Sequence, residues 1–401
     1  EMAAKLRLAQ AVVTKFSADD TTFVLDLAQT RSEDGSRLVA AALSNFEVKL
    51  YSASEAGVVA HAANLPQGHQ SKINEIDFAL PGVPNALFTC SSDGTARSWD
   101  VRTASQAEEF AADGELFSMS VGGPSDMLVA GASTERVLFW DRRTRRVLTQ
   151  WEETFSEGCD ITQVSFHPQR RSELMTAGED GCVAAFDCSV GPQPDEEEGV
   201  LAVCPVGTAI SRAGFYGANA DRLWAVSTTE ELSLWRWDAD ERLGDRVASI
   251  PETREAMRMA AASVPEGAGS LGAQVDYLLR CEYDHQSDSL WALAGTQTGD
   301  LGIYPVVCDE AAGSFGLLAP MALLSGAHRD IVRTAVWNGP SDHLCFTGGE
   351  DSYLCCWTSA PASAPTVVPT SEGQSQLPTS LRMSPASAAA ARASATRHSP
   401  Y

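Results

Sequence analysis

The chain has 401 residues, with 53 carboxylates against 29 lysines and arginines and a formal net charge of −24. This charge argues against nucleic acid or anionic lipid as the main partner, because both are bound through clustered cations. No run of about 20 apolar residues could span a membrane, and the ten cysteines show neither Cys-x-x-Cys nor zinc-ligand spacing. We therefore expect no metal, no cofactor and no membrane partner, and a cytoplasmic or nuclear location.

A tight turn followed by a short strand that ends in an aromatic residue recurs along the chain. The clearest copy is SSDGTARSWD, which ends at Trp99 and Asp100. Seven copies end at an aromatic residue: Tyr51, Trp99, Trp140, Phe186, Trp235, Tyr304 and Trp357. Successive copies lie 41 to 69 residues apart, and a four-stranded propeller blade takes about 40–45 residues before loop insertions. The repeat predicts an all-β fold with one seven-bladed β-propeller.

The domain organisation follows from this repeat. We expect one propeller over residues 1–359, an inter-blade insertion over 251–274 and a disordered Ala/Ser/Pro-rich tail over 360–401. The insertion should form one or two helical turns on the face that carries the turns between strands b and c. The predicted blades lie near 20–65, 66–111, 112–152, 153–205, 206–250, 275–320 and 321–359 plus 8–16.

The seventh blade lacks a fourth strand of its own. RTAVW, HLCFTG and YLCCWT supply its first three strands, but the sequence after Ser359 is rich in Ala, Ser and Pro. The strand-like run LAQAVVTKF, Leu8 to Phe16, is expected to close the ring from the other end of the chain and so to remove a free sheet edge. The alternative is a short N-terminal helix over Met2 to Gln10.

Two blades contain a His, a Thr, an Asp and a Trp at matching positions, with Asp six and Thr ten residues before Trp. The two sets are His69, Thr89, Asp93 and Trp99, and His328, Thr347, Asp351 and Trp357. We expect Asp to accept from the His ring, His to reach the hydroxyl, and the hydroxyl to reach the Trp N–H. Each set would then satisfy polar groups buried between strands.

A Ser-His-Asp-type catalytic triad is the alternative interpretation of these residues. A repeated set argues against it, because the blade that ends at Phe186 keeps Thr176 and Asp180 without a matching His. The remaining blades replace the Asp: Asn45, Thr134, Thr229 and Thr298. Catalysis would instead require carboxylates or histidines that converge in the central channel, and the sequence identifies no such set. We therefore expect a protein that is not an enzyme, with a propeller enzyme as the distant alternative.

The frame from Gly-His to Trp-Asp resembles the WD-repeat propellers over residues 8–359. DITQVSFHPQ, MTAGEDGCVAAFD, LWRWD and TGGEDSYLCCW are similar to segments of the WD repeat-containing protein 89 family. That resemblance implies a single propeller without known catalysis, which acts as a platform for other proteins. We expect a monomeric propeller inside a hetero-complex.

One segment resembles a docking motif. LFTCSSDGTARSWDVR, from Leu87 to Arg102, is similar to the box by which WD-repeat substrate receptors bind the adaptor of cullin-4 ubiquitin ligases. The residues that match are Asp93, Trp99, Asp100 and Arg102, and the next blade repeats the end of the motif at Asp141 and Arg143. The resemblance implies a ligase substrate receptor. Alternatively, each Arg pairs with a carboxylate of a neighbouring loop.

Arginines also concentrate around the third and fourth blades. The group comprises Arg142, Arg143, Arg145 and Arg146 in one c–d hairpin and Arg170 and Arg171 in an a–b loop, so it should share one face. The acidic run Asp195 to Glu198 in the next c–d loop would neutralise it. Otherwise it would dock an acidic segment or RNA phosphate. An assembly factor for ribosomes or other large particles, suggested only by analogy with other proteins of this fold, is the alternative to a ligase receptor.

Overall fold

The computed structural model describes residues 6–14, 22–31, 36–78, 83, 85–152, 155–189, 199–237, 242–262, 274–309, 314–359 and 366–368. Within these ranges the chain forms seven sheets of four or five strands, four of them built only from strands that are consecutive in the sequence. The first strand of each sheet packs against the first strand of the next one. The predicted seven-bladed all-β propeller is confirmed.

The first three blades each have four antiparallel strands, a to d from the centre outward. Blade 1 consists of β2 (Val24–Arg31), β3 (Arg37–Leu43), β4 (Val48–Ala53) and β5 (Val59–Asn64). Blade 2 consists of β6 (Ile73–Asp77), β7 (Ala86–Ser91), β8 (Thr95–Asp100) and β9 (Ser105–Ala111). Blade 3 consists of β10 (Ser118–Gly122), β11 (Leu128–Ala132), β12 (Val137–Asp141) and β13 (Arg146–Trp151).

The other blades carry additions to this plan. Blade 4 consists of β14 (Ile161–Phe166), β15 (Glu173–Gly178), β16 (Cys182–Asp187), β17 (Val200–Pro205) and a parallel outer strand, β21 (Arg242–Leu243). Blade 5 consists of β18 (Ile210–Tyr216), β19 (Arg222–Ser227), β20 (Leu232–Arg236) and β22 (Asp245–Ile250). Blade 6 consists of β23 (Tyr277–Asp284), β24 (Ser289–Gly295), β25 (Leu301–Asp309), β26 (Ser314–Leu317) and β27 (Ala322–Leu324). Blade 7 consists of β28 (Val332–Trp337), β29 (Leu344–Gly349), β30 (Tyr353–Thr358), β1 (Arg7–Val13) and β31 (Thr366–Val368).

The hydrophobic core is divided into seven clusters, one between each pair of neighbouring blades. The aromatic residue at the end of each c strand lies in the cluster shared with the preceding blade. Trp99, for example, packs with Leu38 and Leu50 of blade 1, and Trp357 packs with Trp291 and Leu293 of blade 6. The recurrent aromatic is therefore the side chain that fills each blade-to-blade interface, which accounts for its regular spacing.

The ring is closed by β1, as predicted. Its residues pair antiparallel with β30, from Arg7 opposite Thr358 to Val13 opposite Tyr353, so residues 7–10 are a strand rather than the end of a helix. Gln10 joins the closing strand to blade 1, because its side chain donates to Val59 O at 3.0 Å and accepts from Val59 N at 2.8 Å. We call this boundary between the last and first blades the seam.

A buried ion pair also crosses the seam between the last and first blades. The two terminal nitrogens of Arg37 in β3 donate to the two carboxylate oxygens of Asp342 in the a–b loop of blade 7, one of them at 2.6 Å. Only 3% and 6% of these two side chains are exposed. The first and last blades are thus joined by polar contacts as well as by the closing strand.

The insertion forms more helix than the sequence predicts. The helix α1 (Thr253–Ala262) has ten residues, and it begins on the expected face, where Thr253 Oγ1 accepts from Leu232 N at 3.0 Å. Met257 and Ala261 then enter the apolar cluster between blades 5 and 6. The helix therefore fills an inter-blade groove as well as covering a face.

Three residues of the predicted tail also depart from expectation. Thr366–Val368 form β31, which pairs in parallel with β1, although the composition of the tail predicts no strand. The acidic run Asp195 to Glu198, the rest of the tail and residues 263–273 lie outside the described residues. In blade 6, β26 and β27 both pair with β25, and β27 ends at Leu324.

Candidate functional site

The four polar residues of blade 2 meet in one chain of hydrogen bonds. His69 Nδ1 lies 3.0 Å from Asp93 Oδ2, and His69 Nε2 lies 2.7 Å from Thr89 Oγ1. Trp99 Nε1 donates to the same hydroxyl at 3.0 Å. The imidazole, the hydroxyl and the indole are buried, so the hydroxyl is enclosed by its partners rather than presented in a cleft. This is the arrangement of a packed polar network and not that of a nucleophile open to substrate.

Blade 7 repeats the geometry. His328 Nδ1 lies 3.0 Å from Asp351 Oδ1, His328 Nε2 lies 2.8 Å from Thr347 Oγ1, and Trp357 Nε1 donates to Thr347 at 2.8 Å. Asp351 also accepts the backbone N–H groups of Arg329 and Tyr353. Burial opposes ionisation of this carboxyl, but the bonds from His328 and the backbone outweigh it and lower the pKa of Asp351. The carboxylate is therefore held ionised as the acceptor of the turn.

Blades 3 and 5, which lack the histidine, make other hydrogen bonds with the Trp N–H or with the residue at the Asp position. Trp140 Nε1 donates to the carbonyl of Ala111 at 3.2 Å, and Trp235 Nε1 donates to Ser233 Oγ at 2.9 Å. Thr134, at the position of the Asp in blade 3, donates to Asp160 at 2.6 Å. Each turn thus keeps an acceptor or donor suited to its neighbours, so the position is a repeated element of the fold.

The described part of the chain holds no assembled metal site, and its cysteines form no disulfide. No group of three His, Cys, Asp or Glu side chains among the described residues is placed to hold a metal ion. All ten cysteines are free thiols. Cys355 and Cys356 point into different inter-blade clusters, as their adjacent positions in one strand require. In the described ranges no helix is long and apolar enough to cross a membrane.

Arg102 occupies the outer end of blade 2, on the face that carries the a–b and c–d loops. Its Nε and Nη2 donate to the two oxygens of Asp100 at 3.1 and 2.8 Å, and its backbone N–H donates to the same carboxylate. Burial opposes ionisation of Asp100, but the bonds from Arg102 prevail and lower the pKa of its carboxyl. The guanidinium remains 43% exposed, so it pairs with its own strand while it faces solvent.

In the equivalent hairpin of blade 3, the arginines do not form a two-bond pair like that of Arg102 with Asp100. Asp141 accepts the backbone N–H of Thr144 at 2.7 Å and so caps the turn. Arg143, Arg145 and Arg146 are all exposed. Three guanidinium groups therefore project from one hairpin of a strongly acidic protein.

The other predicted arginines are engaged in the fold. Arg142 pairs with Glu108 at 3.2 Å and lies over the ring of Phe88. Arg170 pairs with Glu173 at 2.7 Å and stacks on Trp237, with 4.9 Å between the guanidinium carbon and the ring centre. Arg171 donates to Asp126 at 2.8 Å. Each of these three arginines is therefore paired with a carboxylate, and the three carboxylates lie in blades 2, 3 and 4.

The central channel contains a set of charged groups that sequence reasoning missed. They lie on the first strands of blades 1, 2, 5 and 6 and act on one another electrostatically: Asp26, Glu75, Asp77, Arg212, Arg280 and Glu282. Carboxylates therefore do converge there, although the sequence identified no such set. Enclosure by the protein raises the pKa of Glu75 to about 7 and that of Asp77 to about 6, although Asp77 keeps contact with channel solvent.

Several of these carboxylates join neighbouring blades. Asp26 accepts from Ile76 N in blade 2 at 3.2 Å, and Glu75 accepts from Met119 N in blade 3 at 2.9 Å. Gln163 in blade 4 continues the series, because its side-chain oxygen accepts from Ala213 N in blade 5 at 2.9 Å. All three residues directly follow a register shift in their strand. This local irregularity, invisible in the periodic pattern, turns a polar side chain toward the next blade.

Comparison with known proteins agrees with this architecture. Residues 63–100, which span most of blade 2 and its polar network, match the model of the WD domain, G-beta repeat. The chain is 34% identical over 330 residues to WD repeat-containing protein GTS1 of Arabidopsis thaliana, covering 80% of this chain and 78% of the relative. It is 28% identical over 344 residues to WD repeat-containing protein 89 homolog of Dictyostelium discoideum, covering 86% and 85%.

A more distant relative has the same extent. An uncharacterized WD repeat-containing protein of Schizosaccharomyces pombe is 21% identical over 353 residues, covering 85% of this chain and 96% of that protein. All three matches run over most of the propeller rather than over one repeat. The chain therefore belongs to the WD-repeat β-propeller family, and it is similar over most of its length to the WD repeat-containing protein 89 homologue.

Proposed function

We propose that this protein is a non-catalytic scaffold in a larger protein complex, and that a partner docks on its arginine face. By arginine face we mean the exposed side chains of Arg102, Arg143, Arg145 and Arg146 at the c–d ends of blades 2 and 3. The observation that carries the proposal is the set of three exposed arginines in one hairpin of a protein with a net charge of −24. Such a local reversal of charge favours an acidic partner surface and excludes basic ones.

The first candidate partner is the adaptor of cullin-4 ubiquitin ligases. The motif that ends at Arg102 resembles the docking box of substrate receptors, and Arg143 occupies the same position in the next blade. The fork between Arg102 and Asp100 does not prevent docking, because an ion pair this exposed stabilises the fold by only about 0–1 kcal/mol. Arg102 could therefore exchange Asp100 for acceptors on the adaptor at little cost.

The second candidate role is assembly of ribosomes or other large particles, with an acidic segment or RNA phosphate as the ligand. Arg145 and Arg146 support it, because both are exposed and neither belongs to the Trp-Asp-x-Arg pattern. Val147 beside them is 48% exposed, which offers an apolar contact next to the charges. A protein partner would use that contact, whereas RNA phosphate would use the charges alone.

Two double variants separate the candidates in affinity purification of the tagged protein. Arg102→Ala with Arg143→Ala should abolish recovery of the cullin-4 adaptor if the protein is a ligase receptor. Arg145→Glu with Arg146→Glu should release an acidic or RNA-containing partner if it is an assembly factor, with nuclease treatment distinguishing the two. Arg170 and Arg171 are left unchanged because their contacts with Glu173, Trp237 and Asp126 belong to the fold.

The matched control is Arg329→Glu, which reverses an exposed arginine between blades 6 and 7 on the opposite face. It should retain every partner. If both double variants retain the wild-type partners while their melting temperatures are unchanged, docking on the arginine face is refuted. A loss of partners in the control as well would point to a general charge effect and would also count against this face.

The channel carboxylates do not lead us to propose an enzyme. Carboxyl groups with raised pKa values occur in sites of proton transfer, but Asp26 and Glu75 accept backbone N–H groups of neighbouring blades. Glu282 is paired with Arg280 at 2.8 Å on its own strand. These contacts support a structural role in the ring, and the propeller enzyme stays the distant alternative.

A further inference from the structure

The outer edge of the closing strand carries an additional strand from the distant end of the chain. β31 pairs with β1 in parallel, with Thr366 opposite Gln10, Val367 opposite Ala11 and Val368 opposite Val12. β1 therefore lies between β30 and β31, and the edge of blade 7 is formed by three residues of the segment that follows the propeller. We call Thr366–Val368 the strap.

The sequence of the strap matches this place. Thr, Val and Val are the β-branched residues that favour extended strands, and a proline stands on each side of them, at 365 and 369. Proline has no N–H to donate to a ladder, so the two prolines limit the number of hydrogen bonds that a longer strand could make. The segment is thus suited to a short strand that covers an edge and then stops.

We propose that the outer edge of β1 is a strand-acceptor site, which the strap occupies in cis and an extended segment of a partner protein occupies in its place. A sheet edge presents a row of N–H and C=O groups that takes up any extended segment of suitable register. Three ladder residues make few hydrogen bonds, and the strap is held mainly by the high effective concentration that its covalent tether gives. A partner segment with five or more β-branched residues and no proline forms a longer ladder and displaces it.

This site is independent of the arginine face. It lies on the rim of blade 7, on the opposite side of the ring from blade 3, and it needs no charged side chain. Its occupant is recognised through main-chain hydrogen bonds. A failure at one site therefore leaves the other untouched.

Hydrogen exchange tests whether the strap occupies the edge. We compare the full-length protein with Val367→Pro, which removes the central N–H of the strap, and with Ser375→Pro, which places the same substitution elsewhere in the tail. Among Gln10 to Val12, exchange of the amides that face the strap should accelerate at least tenfold in Val367→Pro and stay unchanged in Ser375→Pro, whereas the amides that face β30 should exchange equally in all three proteins. Equal exchange of the amides that face the strap in all three proteins would overturn the proposal.

Peptide binding tests whether the edge accepts a strand in trans. The probe is a fluorescent peptide with the sequence of residues 362–371, together with a second peptide in which valine replaces the proline at 369. Both should bind Val367→Pro at least tenfold more tightly than the wild type or Ser375→Pro, and the second peptide should bind more tightly than the first because its ladder is longer. If neither peptide distinguishes Val367→Pro from the wild type, the edge is not an acceptor site. A strap peptide that carries proline at 367 should bind none of the proteins, and its binding would equally refute strand addition.

Discussion

Replacement of Asp351 by alanine tests the idea that the polar networks of blades 2 and 7 stabilise the fold rather than perform chemistry. The carboxylate accepts from the buried His328 ring and from the backbone N–H groups of Arg329 and Tyr353. Each such bond contributes about 1 kcal/mol, and a buried donor left without a partner costs about 1–3 kcal/mol. The imidazole is the only deeply buried donor of the three, so the free energy of unfolding should fall by about 2–4 kcal/mol.

The melting temperature translates this loss into a measurable shift. An unfolding entropy of about 2 cal/mol/K per residue gives the propeller roughly 0.7 kcal/mol/K. Asp351→Ala should therefore lower the melting temperature by about 3–6 °C in calorimetry or circular dichroism. Burial opposes ionisation of Asp351 and its hydrogen bonds outweigh that effect, so its pKa is lowered. Its stabilisation is thus full above the unfolded value near 4 and is lost as pH falls through the lower folded value.

Asp180 provides the matched control, because it occupies the same turn position in blade 4. Its carboxylate accepts the N–H of Cys182 at 2.9 Å, and no histidine stands at the matching position of the chain. Asp180→Ala should lower the melting temperature by about 1 °C. If the two variants melt at the same temperature at pH 7, the His328 network contributes nothing and our interpretation of the repeated spacing is wrong.

Three further perturbations test the seam, the channel and the closing strand. Arg37→Met leaves the buried Asp342 carboxylate without its ion-pair partner and should lower the free energy of unfolding in urea by about 3–5 kcal/mol. Arg236→Ala, which removes an exposed ion pair, should lower it by less than about 1 kcal/mol. Equal losses would contradict a stabilising role of the pair between Arg37 and Asp342. Burial raises the pKa of Glu75 to about 7, so the folded state binds the proton more tightly than the unfolded state. Stability should rise as pH falls from 8 toward 5, and Glu75→Gln should flatten that dependence; an unchanged slope would show that other channel groups set it. Removal of residues 1–14 deletes β1 and should give insoluble protein, while removal of 369–401 should leave the melting temperature within about 2 °C of the wild type; two soluble products would refute ring closure by β1.

The sequence by itself determined the repeat and most of what depends on it. The c-strand aromatics recur because each must fill one inter-blade interface, and Asp93 and Asp351 precede their tryptophans by equal distances because the same turn is built twice. Such features are local: the Asp, the Thr and the Trp lie within one hairpin, where spacing along the chain fixes spacing in the sheet. For this reason the repeated hairpins and the seven blades could be predicted from spacing. The closing strand was predicted on a different ground, because the sequence after Ser359 offers the seventh blade no fourth strand.

Only the tertiary structure decided which charged groups meet across the ring. Arg37 and Asp342 are separated by 305 residues, and no periodic pattern relates them. The channel set was missed because Asp26, Glu75 and Arg280 follow register shifts that turn them toward the channel and the next blade. The arginines that look alike in the sequence divide into engaged and exposed groups, because Glu173, Asp126 and Trp237 approach some of them and not others. Contacts between distant segments depend on how seven blades close into a ring, and that closure is a property of the whole chain.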